Sequence, residues 1–170
     1  MDKSESPDTA LLEKELTGKI IGVFYEVYNE IGPGFPEFVY RRAVAIALAL
    51  AGLSVVEEAP LPIWFRGHRI VKFQADLVVE DRVIVEVKSS AEVNEFHNIQ
   101  LTNYLRATDI EVGLLLNFGK RAEFKRRVLQ NSQKRRPGPN TSTDAGPPTA
   151  SCATHTTDSD PRPRVSRERF

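Results

Sequence analysis

Leu12, Leu16, Ile20, Val23, Val27 and Ile31 recur at three- and four-residue steps, which predicts a helix with one buried stripe. Ser6-Pro7 or Asp8 can start that helix, and Gly32-Pro33-Gly34 ends it. A second helix is predicted from about Pro36 to Ala51. It is apolar on almost all sides beyond Arg42, so it should be largely buried, with Gly52 in the capping place. Proline at its first turn is tolerated, because the missing N–H would have been unpaired there anyway. Short strands follow near Val55–Glu58 and Ile63–Phe65, with a turn at Arg66-Gly67-His68. Two β-type runs come next, Phe73–Val79 and Val83–Lys88, then a helix from about Asn94 to Ala107. A strand at Val112–Asn117 and a last one near Glu123–Val128 complete the pattern.

The two central runs carry charges inside apolar strands, and side chains of a strand alternate between its faces. Glu86 and Lys88 therefore share a face, opposite to Val83, Val85 and Val87. On the first run Phe73, Ala75, Leu77 and Val79 form the apolar set, leaving Gln74 and Asp76 on the other face. In an antiparallel hairpin opposed residues point the same way, so the turn selects the register. A three-residue turn at Glu80-Asp81-Arg82 opposes Val79 to Val83, Leu77 to Val85 and Asp76 to Glu86. The apolar residues then share one face, and both carboxylates and the lysine share the other. A two-residue turn would oppose Asp76 to Val85 and scramble the faces. Carboxylates held this close repel unless a cation or a proton lies between them. The plain alternative is a Glu86–Lys88 salt bridge on a wet sheet face.

An Asp followed, after a turn, by Glu-x-Lys on the next strand resembles the pattern of the PD-(D/E)XK nuclease superfamily, with Ala75 in place of the proline. Gly34-Phe-Pro-Glu37-Phe-Val-Tyr40 is similar to the GxxExxY signature of a prokaryotic family assigned to that superfamily. The resemblance runs from roughly Leu16 to Val128 and includes His97-Asn-Ile-Gln100-Leu-Thr-Asn-Tyr104-Leu and Val112–Phe118. Ala91 departs from it, standing where family members often carry an acid.

The resemblance implies an α/β (α+β) restriction-endonuclease-like core, a mixed sheet flanked by helices, with Glu37 reaching the site from the preceding helix. It implies a metal-dependent nuclease, acting on DNA rather than RNA, with Asp76, Glu86 and Lys88 at its centre. Asp76, Glu86 and the backbone carbonyl of Val87 would hold Mg²⁺ or Mn²⁺, and Glu37 would hold a second metal or a water outside the first. Hard oxygen ligands suit Mg²⁺. Gln100 would position a water or phosphate, while Leu101 and Tyr104 are expected to pack and His97 to pack or lie at the surface. Small nucleases of this fold frequently pair, so a homodimer is compatible. Three alternatives stay open: a nucleic-acid-binding module without turnover, an interaction subunit docking through Phe35, Phe38 or the first helix, and hydrolysis of another phosphodiester.

Composition adds a boundary. Among 170 residues of zero net charge, the segment 134–170 is rich in Pro, Ser and Thr and carries seven basic against four acidic side chains, leaving 1–133 at −3. We expect a nuclease-like domain over 1–133 and a disordered tail over 134–170. The acidic body argues against a broad basic cradle, although Lys125–Arg127 and Lys134–Arg136 offer phosphate contacts. The lone Cys152 and three scattered histidines exclude a four-ligand zinc site. The polar start and the short apolar run Ala43–Ala51 lead us to expect no signal peptide, no membrane span and a cytoplasmic location.

Overall fold

A computed structural model describes residues 12–66 and 68–134. The start of the first helix near Ser6, the turn residue Gly67 and the tail from 135 onward lie outside the described residues. Three helices and five strands follow in the order α1 (Lys14–Ile31), α2 (Glu37–Leu50), β1 (Val55–Phe65), β2 (His68–Val79), β3 (Val83–Lys88), α3 (Glu95–Ala107), β4 (Val112–Phe118) and β5 (Ala122–Val128). The sheet order is β1-β2-β3-β4-β5, parallel only between β3 and β4. A parallel pair needs a crossover, and α3 supplies it. The result is the mixed, helix-flanked α+β sheet that the resemblance implies. No helix among the described residues is long and apolar enough to cross a membrane.

Two cores sandwich the sheet. The stripe of α1 and the inner face of α2, including Tyr40, Val44 and Leu48, pack on Leu77, Val79, Val83, Val85 and Val87. On the opposite side Leu101, Tyr104 and Leu105 of α3 cover Val78, Ile84 and Leu115. The face that the salt-bridge alternative would leave wet is therefore covered, because Val78 and Ile84 give it an apolar patch of its own. β4, buried along its whole length between the two layers, is correspondingly an unbroken apolar run up to Asn117.

Four local expectations change. Leu12 lies before α1, whose described start is Lys14 after Glu13 in a left-handed conformation at φ 53°. α2 is not largely buried, because Phe38, Ile46 and Leu50 point outward and stay exposed. β1 is one strand of 11 residues rather than two, and β2 begins at His68 rather than Phe73. Pro60 and Pro62 lie inside β1. Spaced by two on an edge strand, both nitrogens can face away from β2, so neither removes a ladder bond. Phe73 and Ala75 do not share a face with Leu77 and Val79 either. Ala75 belongs to the α3 core and Phe73 contacts the Tyr104 ring. The reversal falls at Asp76, beside Glu58 of β1, which adopts φ 51°.

The Gly34-x-x-Glu37-x-x-Tyr40 spacing has a direct structural cause. Gly34 turns the chain at φ 114°, open to glycine and strained for other residues. Tyr40 is buried, stacks on Phe118 at 4.3 Å, and its hydroxyl donates to Gly32 O (2.7 Å) and accepts from Phe35 N–H (3.0 Å). The loop is thereby latched, and Glu37, three residues earlier on α2, is aimed at the sheet. Tyr40→Phe keeps the stack but unlatches the loop, and should cost about 1–2 kcal/mol in urea denaturation. An unchanged midpoint would show the latch to be inert.

Candidate functional site

The hairpin register is the expected one as far as it runs: Val79 pairs with Val83, Val78 with Ile84 and Leu77 with Val85. The ladder stops one position short of Asp76 and Glu86. Beyond it β3 continues beside β4, through Glu86–Leu115 to Lys88–Asn117, while β2 leaves with β1 as a two-stranded ribbon. Asp76 and Glu86 sit in the fork. Two hydrogen bonds span it, from Asp76 N–H to Glu86 Oε1 (3.3 Å) and from Val87 N–H to Asp76 Oδ2 (2.9 Å).

All five candidate side chains meet there. Lys88 Nζ donates to Glu86 Oε2 and to Glu37 Oε1, both at 3.2 Å. Gln100 Nε2, from α3, donates to Glu86 Oε2 (3.2 Å) and to the Tyr104 hydroxyl (2.8 Å), which donates in turn to Gln74 O (3.1 Å). Glu86 is only 2 % exposed, against 43 % for the Glu37 side chain, so the cluster runs from the sheet interior to solvent. An exposed salt bridge on a wet face is excluded. Leu101 and Tyr104 pack as expected. Gln100 Nε2 is engaged by Glu86 and Tyr104, so its amide holds the carboxylate in place.

Burial and the neighbouring Asp76 carboxylate push the Glu86 pKa up to about 7, against the opposing pull of Lys88. Burial disfavours the Lys88 ammonium, but Glu86, Glu37 and Asp76 outweigh it and raise its pKa above the ordinary lysine value. At neutral pH Lys88 is therefore charged. His97, half-buried on the same side of α3, has its pKa lowered by burial and then by Lys88, and its Nδ1 has no partner.

Two contributors escaped the sequence reading. Arg41 reaches Asp76 Oδ1 at 3.5 Å and Glu58 at 2.8 Å, placing a second cation at the fork. It lies four residues after Glu37, on the same helix face, which was the available signal. Asn117, buried at the end of β4, accepts from Ser90 N–H (3.1 Å) and donates to Ser90 O (3.0 Å), fixing the chain just past Lys88. A Cβ at Gly119 would meet Ser90 O at 2.2 Å, so this clamp also requires a glycine there.

No group of three or more His, Cys, Asp or Glu side chains close enough to hold a metal occurs among the described residues. The fork offers two carboxylates instead. Glu86 Oε2 accepts two hydrogen bonds, from Lys88 and Gln100, whereas Glu86 Oε1 and both Asp76 oxygens accept one each and keep a second lone pair. Mg²⁺ is commonly held by one or two carboxylates, with water and substrate phosphate completing the shell. The donor set fits such an ion.

A family model described as the PD-(D/E)XK nuclease superfamily matches residues 14–128. No curated protein matches the chain. Among solved structures, one titled "Crystal structure of SSO0001" aligns with a TM-score of 0.44 and 16 % identity over 75 % of this chain, which spans 64 % of that structure's length.

Glu86 has a folded-state pKa near 7 against 4.5 for the free side chain, so the folded protein retains a proton that the unfolded chain has released between those values. Its contribution to stability therefore falls as pH rises through that window, by at most roughly 3 kcal/mol. With divalent cations chelated, Glu86→Gln should match wild type at pH 4 and exceed it in urea resistance at pH 8. A variant weaker than wild type at pH 8 would mean that Lys88 and Gln100 favour the charged carboxylate.

Proposed function

The chain belongs to the PD-(D/E)XK nuclease superfamily, and from that premise we propose that it is a Mg²⁺- or Mn²⁺-dependent nuclease cleaving DNA. We assign it to the GxxExxY family on Gly34, Glu37 and Tyr40, and its catalytic unit to residues 1–133. The observation that carries this reading is the joining of Glu37, Asp76, Glu86, Lys88 and Gln100 into one hydrogen-bonded cluster at the fork.

Asp76, Glu86 and the Val87 carbonyl would hold the cation, with Glu37 placed to bind a second ion or a water outside the first. Such an ion lowers the pKa of a water and offsets the charge gathering on the phosphate. Lys88 stays protonated and is steadied from both sides by Glu37 and Glu86, so its ammonium can orient the attacking water or neutralise the phosphate oxygens. Gln100 is a positioning residue, fixing Glu86 Oε2 from the α3 layer. Arg41 sets the direction of the Asp76 carboxylate from α2.

Labelled single- and double-stranded DNA and RNA incubated with the full chain should be cut with Mg²⁺ or Mn²⁺ and not with chelator, DNA being preferred. Asp76→Ala should abolish cleavage, and Lys88→Ala should lower the rate on the order of 10²–10³, the usual worth of a preorganised donor. Absence of cleavage by folded wild type in every condition, with no Mn²⁺ binding by calorimetry, would move the protein to the interaction class. The exposed Phe35 and Phe38 near the signature loop favour that second reading.

A further inference from the structure

Beyond the fork, β1 and β2 continue as a ribbon without a third strand, and Phe65 pairs with His68 at its tip, where Arg66 takes φ 48°. From Ala59 to Ala75 the chain has three basic side chains, Arg66, Arg69 and Lys72, and no acid, although residues 1–133 as a whole are acidic. All three are exposed, with Trp64 at 43 % and Phe65 at 52 %.

The ladder decides how these side chains are aimed. Ile63 pairs with Val71 but Trp64 pairs with Arg69, so Ile70 is an extra residue in β2. Without that bulge Arg69 and Lys72, three residues apart, would point to opposite faces. With it, Trp64, Arg69, Lys72 and Pro62 share one face of the ribbon. The other face carries Leu61 and Phe73 and runs down to Tyr104 and the α3 core. The bulge thus gathers two cations and an indole on the face that does not join that core, while the Arg66 guanidinium lies 5.1 Å from the Phe65 ring centre at the tip.

We propose that this ribbon is a nucleic-acid-binding arm, holding the DNA substrate on one side of the scissile phosphate. The proposal rests on the nuclease reading and adds to it where the substrate runs. Charge complementarity favours this occupant: a cationic ribbon on an acidic body attracts a polyanion, and an exposed indole and phenyl ring stack on bases. Along β2, Lys72 lies about 13 Å and Arg69 about 20 Å from Asp76. At about 3.4 Å per base pair the arm spans about six base pairs beyond the cut.

The test is binding of labelled duplex DNA by the full chain in chelator, read by fluorescence anisotropy across a salt series. The wild type is compared with Arg69→Glu/Lys72→Glu, Trp64→Ala and Asp76→Ala. The exposed arm positions leave both cores intact, and circular dichroism checks the fold. The proposal expects the double variant to bind at least about tenfold more weakly, with a log–log salt slope lower by about two. Trp64→Ala should weaken binding to single strands, and Asp76→Ala should still bind. Duplexes extending less than about six base pairs past the cleavage site should not distinguish double variant from wild type. Equal affinity and slope for both proteins on long duplexes overturns the arm. So does a concentration-dependent dimer that Trp64→Ala dissociates while DNA binding is unchanged, because a second copy would then be the occupant. Loss of binding in the arm variants without metal-dependent cleavage by wild type keeps the arm and removes the nuclease reading. Cleavage with unaltered KM in the arm variants does the reverse.

Discussion

The burial of one carboxylate organises this molecule. Glu86 lies inside the sheet beside a second acid, and an ion taken out of water costs several kcal/mol unless its oxygens are well met. Here the compensation comes from every layer at once. The backbone of Asp76 donates from β2, Lys88 from β3 itself and Gln100 from α3, while Glu37 reaches from α2 to steady Lys88. The Gln100 and Glu37 contacts require both helical layers in place. The site is thus a consequence of the sandwich, and its rigidity is that of the two cores.

The fork makes this possible. A continuous β2–β3 ladder would spend the main-chain groups around Asp76 and Val87 on each other. Because the ladder ends at Leu77 and Val85, the Val87 N–H goes to the Asp76 carboxylate and the Asp76 N–H to the Glu86 carboxylate. Departure from the regular sheet is what turns the two strands into a fork that holds both carboxylates. The same departure frees β1 and β2 to project as a ribbon. Candidate site and ribbon are therefore two results of one break in pairing, and the reversal of faces at Asp76 is its local trace.

Much of this was legible beforehand, for identifiable reasons. The register of Val79 with Val83 follows from turn length and the alternation of Leu77, Val79, Val83 and Val85, all local properties. Gly34, Glu37 and Tyr40 could be singled out by spacing, and the structure supplies the cause in the Tyr40 latch. Arg41 was overlooked because its partner Asp76 is 35 positions away. The full length of β1 was not legible, because Pro60 and Pro62 fit a strand only where it lies at a sheet edge. The apolar character of Val78 and Ile84 was visible, yet it conflicted with the charges two positions away, and only the packing of α3 resolved the conflict.

The sequence by itself determined the three helices, how the central hairpin is registered, and that Asp76, Glu86 and Lys88 approach one another. Those follow from periodicity and short turns, whose physics acts over a few residues. Only the tertiary structure decided that Glu86 is buried rather than wet, that Gln100 and Arg41 join it from opposite layers, and that a bulge at Ile70 gathers Arg69 and Lys72 on one face. Burial and long-range pairing depend on which surfaces meet once the layers close, and no local pattern encodes that meeting.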